Sequence, residues 1–258
     1  MSKLIDKLNR VSQSVPQAMG FRATQQALPK PRMLLIADLA QANVDGLADD
    51  VAEADAGLLH VSNLIEEAKT IQKICEVVSD IPWGSWLRDV GQVDIKQIVE
   101  AGCDFVVFPP AITLLAILQD NKLGKILQVE VSLGEGLVRA VDRLPVDAVL
   151  IAGEPEEEYF LTWHHLMLFQ RLADLLIKPL LVSVPSNITA DELQILWETG
   201  VSGVMLKVGV GQPEGRLKEL RQVIDQLTFT SQRQWGKTEA LLPYTGGERN
   251  IVAEEEKE

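Results

Sequence analysis

The sequence predicts an α/β protein, a closed (βα)8 TIM barrel preceded by one extra N-terminal helix. Three observations predict it. Eight short runs rich in Val, Ile and Leu recur along the 258 residues, each of a length and composition suited to a buried strand. Segments of helical period lie between them, and strand and helix alternating at even spacing means parallel pairing through βαβ crossovers. The strands also open on two alternating phrases. Even strands follow Ala54-Asp55-Ala56-Gly57, Gly102-Cys103-Asp104-Phe105, Val146-Asp147-Ala148-Val149 and Val201-Ser202-Gly203-Val204. Odd strands have Lys or Pro just ahead, as in Pro31-Arg32-Met33 and Lys178-Pro179-Leu180. Four alternating copies suit a sheet closed on itself. The rival is an open doubly wound sheet, but Ala37-Asp38-Leu39-Ala40-Gln41-Ala42 lacks the Gly-rich turn expected after a first dinucleotide-binding strand.

Taken in order, residues 1–28 form a helical extension. Leu4, Ile5, Leu8, Val11 and Val15 make one apolar face at helical spacing. That face packs on the outside or floor of the barrel, or serves as a contact between copies of the chain. The barrel spans 29–232, with strands expected at 33–38, 57–62, 83–87, 105–108, 126–132, 148–152, 180–184 and 204–208. Helical period marks 65–78, 93–100, 137–141, 191–198 and 217–227. The stretch 159–184 is the most apolar, but Arg171, Asp174, Lys178 and Pro179 interrupt it, so it reads as a helix and then a strand rather than a membrane span. Thr189-Ala190-Asp191-Glu192 is a capping box. Residues 233–258 end in Glu254-Glu255-Glu256-Lys257-Glu258, a charge run expected as a solvated tail.

Composition narrows the function. A net charge of -13 argues against nucleic acid or an anionic membrane as the main partner. Cys75 and Cys103 make no disulfide framework, and MSKLIDKLNR lacks the apolar core of a secretory signal, so a cytoplasmic location is expected. No Cys/His spacing for zinc, no GxSxG elbow and no P-loop occur. His164 and His165 are neighbours and do not share a helix face. Gly209-Val210-Gly211 reads as a turn or as an anion cradle before the last helix.

Alternation along the strands assigns the barrel interior. If Leu127, Val129 and Val131 face the helices, then Gln128, Glu130 and Ser132 face inward. If Val204, Leu206 and Val208 face the helices, Met205 and Lys207 face inward. Leu150, Ala152 and Glu154 follow the interior line of strand six, and Ser183 that of strand seven. Asp38 and His60 fall near the ends of strands one and two. Barrel active sites lie at the C-terminal strand ends, so Asp38, His60, Arg88, Glu130, Glu154 and Lys207 gather at one mouth. Buried charges that converge need partners or a purpose. The plainest structural account is a Lys207–Glu130 ion pair filling the upper layer.

Part of the chain resembles a known family. Trp86-Leu87-Arg88, the helix ending in Ala101-Gly102, and Asp104-Phe105-Val106-Val107-Phe108-Pro109 are similar to the metal-dependent pyruvate aldolases and citrate-lyase-like enzymes of the phosphoenolpyruvate/pyruvate barrel superfamily. Val129-Glu130-Val131-Ser132 and Val146-Asp147-Ala148-Val149-Leu150-Ile151-Ala152-Gly153-Glu154 extend the likeness over 80–155. The resemblance implies an aldolase-like lyase acting on a small keto acid, with Mg²⁺ or Mn²⁺ held by Glu130 and Glu154 and the substrate carboxylate met by Arg88. The metal would stabilise an enolate as a Lewis acid. His60 stands two or three places before the family's catalytic His, without the acid beside it, and Ala152-Gly153-Glu154-Pro155 replaces the family's Gly-Pro-x-Asp turn. Two alternatives stay open. One is a barrel isomerase or Schiff-base lyase centred on Lys207. The other is a catalytically silent barrel kept for binding or assembly. The expected partners are a small anion or keto acid and a second copy of the chain.

Overall fold

The computed structural model describes residues 2–12, 32–39, 51–61, 64–87, 95–152, 159–208 and 215–228. Apart from Thr228 they belong to one unit, Met1–Leu227. Eight strands follow one another: β1 (Leu34–Leu39), β2 (Ala56–Val61), β3 (Trp83–Leu87), β4 (Phe105–Phe108), β5 (Gly124–Val129), β6 (Ala148–Ile151), β7 (Leu180–Val184) and β8 (Gly203–Val208). Each pairs in parallel with the next, and β1 pairs with β8 from Leu34↔Gly203 to Leu39↔Val208, so the sheet closes into a TIM barrel. The described helices are α1 (Lys3–Ser12), α2 (Leu64–Val77), α3 (Ile95–Glu100), α4 (Glu135–Val141), α5 (Trp163–Leu175), α6 (Ala190–Glu198) and α7 (Arg216–Gln226). A 3-10 turn at Leu115–Gln119 stands between β4 and β5.

The alternating phrases have a backbone cause. Before each even strand one residue extends the ladder to the preceding odd strand: Asp55 N–H donates to Leu35, Asp104 to Trp83, Asp147 to Lys125 and Ser202 to Leu180, at 2.7 to 2.8 Å. The short acidic side chain then accepts a second main-chain N–H. Asp55 takes that of Leu35 at 2.9 Å and Asp147 that of Lys125 at 2.8 Å. Ahead of β4 and β8 the chain first leaves a helix through a left-handed glycine, Gly102 at φ 90° and Gly200 at φ 100°. In both, two crossed N–H bonds close the helix end, Gly102 to Val99 with Cys103 to Ile98, and Gly200 to Trp197 with Val201 to Leu196. The Thr189–Glu192 capping box forms as its residues predict.

α1 sits on the floor of the barrel. Asp104, at the foot of β4, accepts from Ser2 Oγ at 2.7 Å, Lys3 N–H at 2.8 Å and Leu4 N–H at 2.9 Å, which caps the helix from outside. Lys7 Nζ donates to the carbonyl of Asp55 at the foot of β2. Leu4, Ile5 and Leu8 pack into the inner cluster with Leu34, Phe105 and Leu181. Leu4, Ile5 and Leu8 of the expected face are thereby spent on the barrel. Val15 and the rest of 13–31 lie outside the described residues, as do Gly209–Gly211 and the tail.

The expected strand faces hold with one correction. Val129 and Val204 belong to the outer cluster under the helices, while Leu150 and Met205 belong to the inner one. β5, however, starts at Gly124 and stops at Val129, earlier at both ends than its apolar run suggests. Its register, Phe105↔Gly124 to Phe108↔Leu127, is set by β4. Glu130 therefore lies beyond the strand, exposed, in a turn closed by its own carbonyl and Leu133 N–H. It is not buried in the barrel, and among the described residues no Lys207–Glu130 ion pair forms. The 159–184 stretch is α5 followed by β7, and among the described residues no helix is long and apolar enough to cross a membrane.

Both cysteines are free thiols. Burial pushes Cys103 up to about 12, against a hydrogen bond from Ser85 that opposes it, and burial pushes Cys75 up to about 11. The folded values exceed the ordinary thiol value of 9.0, so this contribution to stability is complete below pH 9 and declines as pH rises toward the folded values. We expect the stability difference between parent and Cys103→Ala, read by urea unfolding, to shrink from pH 8 to pH 10. A difference that stays constant or grows would refute the burial assignment.

Candidate functional site

The upper layer of the barrel interior carries an arc of polar side chains. Asp38 ends the inward line Leu34, Ile36, Asp38 of β1 and is 1 % exposed. Its Oδ1 contacts Nε2 of His60, the last inward residue of β2. The His60 ring lies against Trp86 of β3, with centroids 4.9 Å apart and planes at 54°. Trp86 Nε1–H donates to Gln128 Oε1 at 3.0 Å, which brings in β5. On the other side Asp38 pairs in register with Lys207 of β8, whose side chain is half-buried. Five strands thus contribute to one continuous arc.

The chemistry follows from what each group has left over. Asp38 Oδ2 is buried and has no hydrogen-bond partner among the described residues. An unmet buried acceptor costs about 1–3 kcal/mol, and more when charged. His60 uses one ring nitrogen on Asp38, so the other is available; with the proton on Nε2, Nδ1 carries a lone pair. A carboxylate behind an imidazole fixes ring and tautomer and stabilises the imidazolium once a proton is taken. The Trp86 donor holds the Gln128 carbonyl, which leaves the Gln128 amide N–H groups to meet another acceptor. The arc therefore holds a base, a group that orients it, and two donors for developing negative charge, Lys207 and Gln128. Ser183 is buried at the top of β7, and its carbonyl accepts from Tyr159 Oη at 2.9 Å.

The sequence-derived residues fare unequally. His60 and Lys207 stand in the arc or beside it. Glu130 stands apart, its Oε2 accepting from Ser132 Oγ at 3.2 Å. Arg88 and Glu154 lie outside the described residues. Among the described residues no group of three or more His, Cys, Asp or Glu side chains could hold a metal ion. The carboxylate pair expected to hold Mg²⁺ or Mn²⁺ is represented only by the exposed Glu130, so the described residues do not fit that ion and no chemical step is assigned to it. Trp86 and Gln128 were missed as a pair; the one signal was that both occupy inward positions near strand ends. On α5, His165 supplies a capping box with Thr162, its Nδ1 accepting from Thr162 N–H at 3.1 Å.

No family model matches the sequence, and no curated protein sequence matches it. Solved structures do match. KGPDC from Streptococcus mutans superposes with a TM-score of 0.59 at 13% identity, covering 79% of this chain and 99% of that one. Thiamine phosphate pyrophosphorylase from Pyrococcus furiosus gives 0.57 at 15%, covering 76% and 98%. N-(5'-phosphoribosyl)anthranilate isomerase from Pyrococcus furiosus gives 0.55 at 14%, covering 74% and 98%. At these identities the likeness is one of fold.

Proposed function

We propose that the protein is a TIM-barrel enzyme that moves a proton next to the carbonyl of a small anionic substrate, a keto acid being the simplest. The observation that carries this reading is Asp38: almost fully buried, one oxygen on His60, the other with no partner among the described residues, and Lys207 beside it across β1 and β8. An unsatisfied buried oxygen is uncommon in a purely structural polar pair. His60 Nδ1 takes the proton from the carbon next to the carbonyl. The electron pair moves onto the carbonyl oxygen, and the enolate is held by the Lys207 ammonium and the Gln128 amide. Asp38 stabilises the imidazolium until the proton is returned. An isomerase returns it to a different atom. An aldolase-like lyase reaches the same enolate by breaking a carbon–carbon bond. The resemblance over 80–155 favours the lyase, with Arg88 on the substrate carboxylate.

The test is exchange of the pyruvate methyl protons in D2O, followed by proton NMR. The parent is expected to catalyse exchange, and His60→Gln to lose about 10²–10⁴-fold of it. Running the parent with EDTA and with added Mg²⁺ or Mn²⁺ decides whether a metal takes part. Borohydride trapping with pyruvate decides whether Lys207 acts as a charge or as an imine-forming amine. A parent that exchanges no proton with or without metal, or a His60→Gln variant equal to it, would overturn the proposal.

A further inference from the structure

At the N-terminal end of the strands, away from the mouth, lies a polar cleft. It has a volume of about 300 Å³ and is lined by Lys125, Lys178, Asp147 and Asn121, with Leu118 and Leu144 on its apolar side. Its residues come from the feet of β5, β6 and β7, where the sequence places Lys ahead of or just inside odd strands. Lys125 is 7 % exposed, and its ammonium donates to the carbonyls of Asp120 at 2.6 Å and Leu123 at 3.2 Å. The Lys178 ammonium donates to the carbonyls of Val146 at 2.6 Å and Leu144 at 3.2 Å. An ammonium has three N–H donors, so each keeps one.

Among the described residues neither lysine has a carboxylate within ion-pair distance. Asp120 is near Lys125, but its Oδ1 is spent on the N–H groups of Lys122 at 2.6 Å and Leu123 at 3.1 Å. Asp147 gives one oxygen to Lys125 N–H and keeps Oδ1 without a hydrogen bond among the described residues. Asp120 and Asp147 supply negative charge beside Lys125, and the cavity still presents one unused N–H on each ammonium and the free Oδ1 of Asp147, a set of two donors and one acceptor.

We propose that this cavity binds an oxyanion that still carries a proton, of the hydrogen phosphate class. Its oxygens accept from Lys125 and Lys178, and its own O–H donates to Asp147. The Asp147 carboxylate makes the site selective, because a fully deprotonated anion such as sulfate presents it with a lone pair instead of a proton. The site is independent of the chemistry at the mouth.

The experiment is thermal unfolding of the full-length protein at pH 6.5 in rising inorganic phosphate, with sulfate as the control and ionic strength held constant with chloride. Sulfate matters because both anions stabilise proteins weakly by exclusion, whereas a bound anion adds a saturable increment. Phosphate is expected to raise Tm beyond sulfate, and titration calorimetry with phosphate to show one site. Lys178→Gln, at a half-buried position, should weaken phosphate binding about tenfold or more. Asp147→Asn should erase the preference over sulfate. Equal shifts in phosphate and sulfate, or a Lys178→Gln variant that binds phosphate as the parent does, would overturn the proposal.

Discussion

His60→Ala is expected to destabilise the fold by about 1–3 kcal/mol or more, as leaving a buried acceptor without its partner does. The reason lies in Asp38. At 1 % exposure it has one engaged oxygen, and that oxygen is on His60. Removing the imidazole leaves both oxygens without partners inside the barrel and also removes the ring that lies on Trp86. Asp38→Ala deletes the costly group itself, so it should cost less than His60→Ala. The double variant should fall short of the sum by about 0.5–3 kcal/mol, the range for groups in direct contact. Urea unfolding of all four proteins closes the cycle. Additive losses would mean that the two side chains are not coupled, and the base proposed at the mouth would lose the group that orients it.

Phe105→Ala is expected to cost about 3–5 kcal/mol, the usual loss for a buried phenyl ring. Phe105 is 0 % exposed and lies in register between two glycines, Gly84 of β3 and Gly124 of β5. The ring occupies the space a side chain at 84 would need: a Cβ there would sit 2.3 Å from Phe105 Cε2. At Gly124 the space is taken from below, since a Cβ would come within 2.7 Å of Ile5 Cγ1 and Ser2 Oγ on α1. Large and small residues thus alternate around the lower layer, and the floor helix completes it. Gly84→Ala should therefore cost about 1–3 kcal/mol by overpacking, and Phe105→Leu added to it should recover part of that loss. A neutral Gly84→Ala, read by thermal or urea unfolding, would show that the layer is not packed in this way.

Much of this barrel is written locally in the sequence. Strand and helix alternate because a parallel strand must be followed by a crossover, and the apolar runs mark which segments are strands. The phrase with Asp55, Asp104, Asp147 or Ser202 marks strand starts because each of these N–H groups extends a ladder. Two-residue alternation sends Val129 and Val204 outward and Met205 inward without reference to any distant residue. The N-terminal face of Leu4, Ile5 and Leu8 likewise announces a buried helix. What it cannot announce is the surface it buries against.

Tertiary structure decided the rest, because it depends on which residues of different strands share a level. Gly124 and Lys125 look like a break in the β5 run, yet they pair in register with β4, and the gap that Gly124 leaves is filled by Ile5 and Ser2 of the floor helix. That shift ends β5 at Val129 and puts Glu130 in solvent rather than in the barrel. The mouth depends on the same kind of fact. Asp38 and His60 are 22 residues apart, and Trp86 and Gln128 are 42 apart, so no local pattern relates them. They meet because strand register brings four chain segments to one height inside a closed sheet, where a polar group must find a partner nearby or remain unsatisfied.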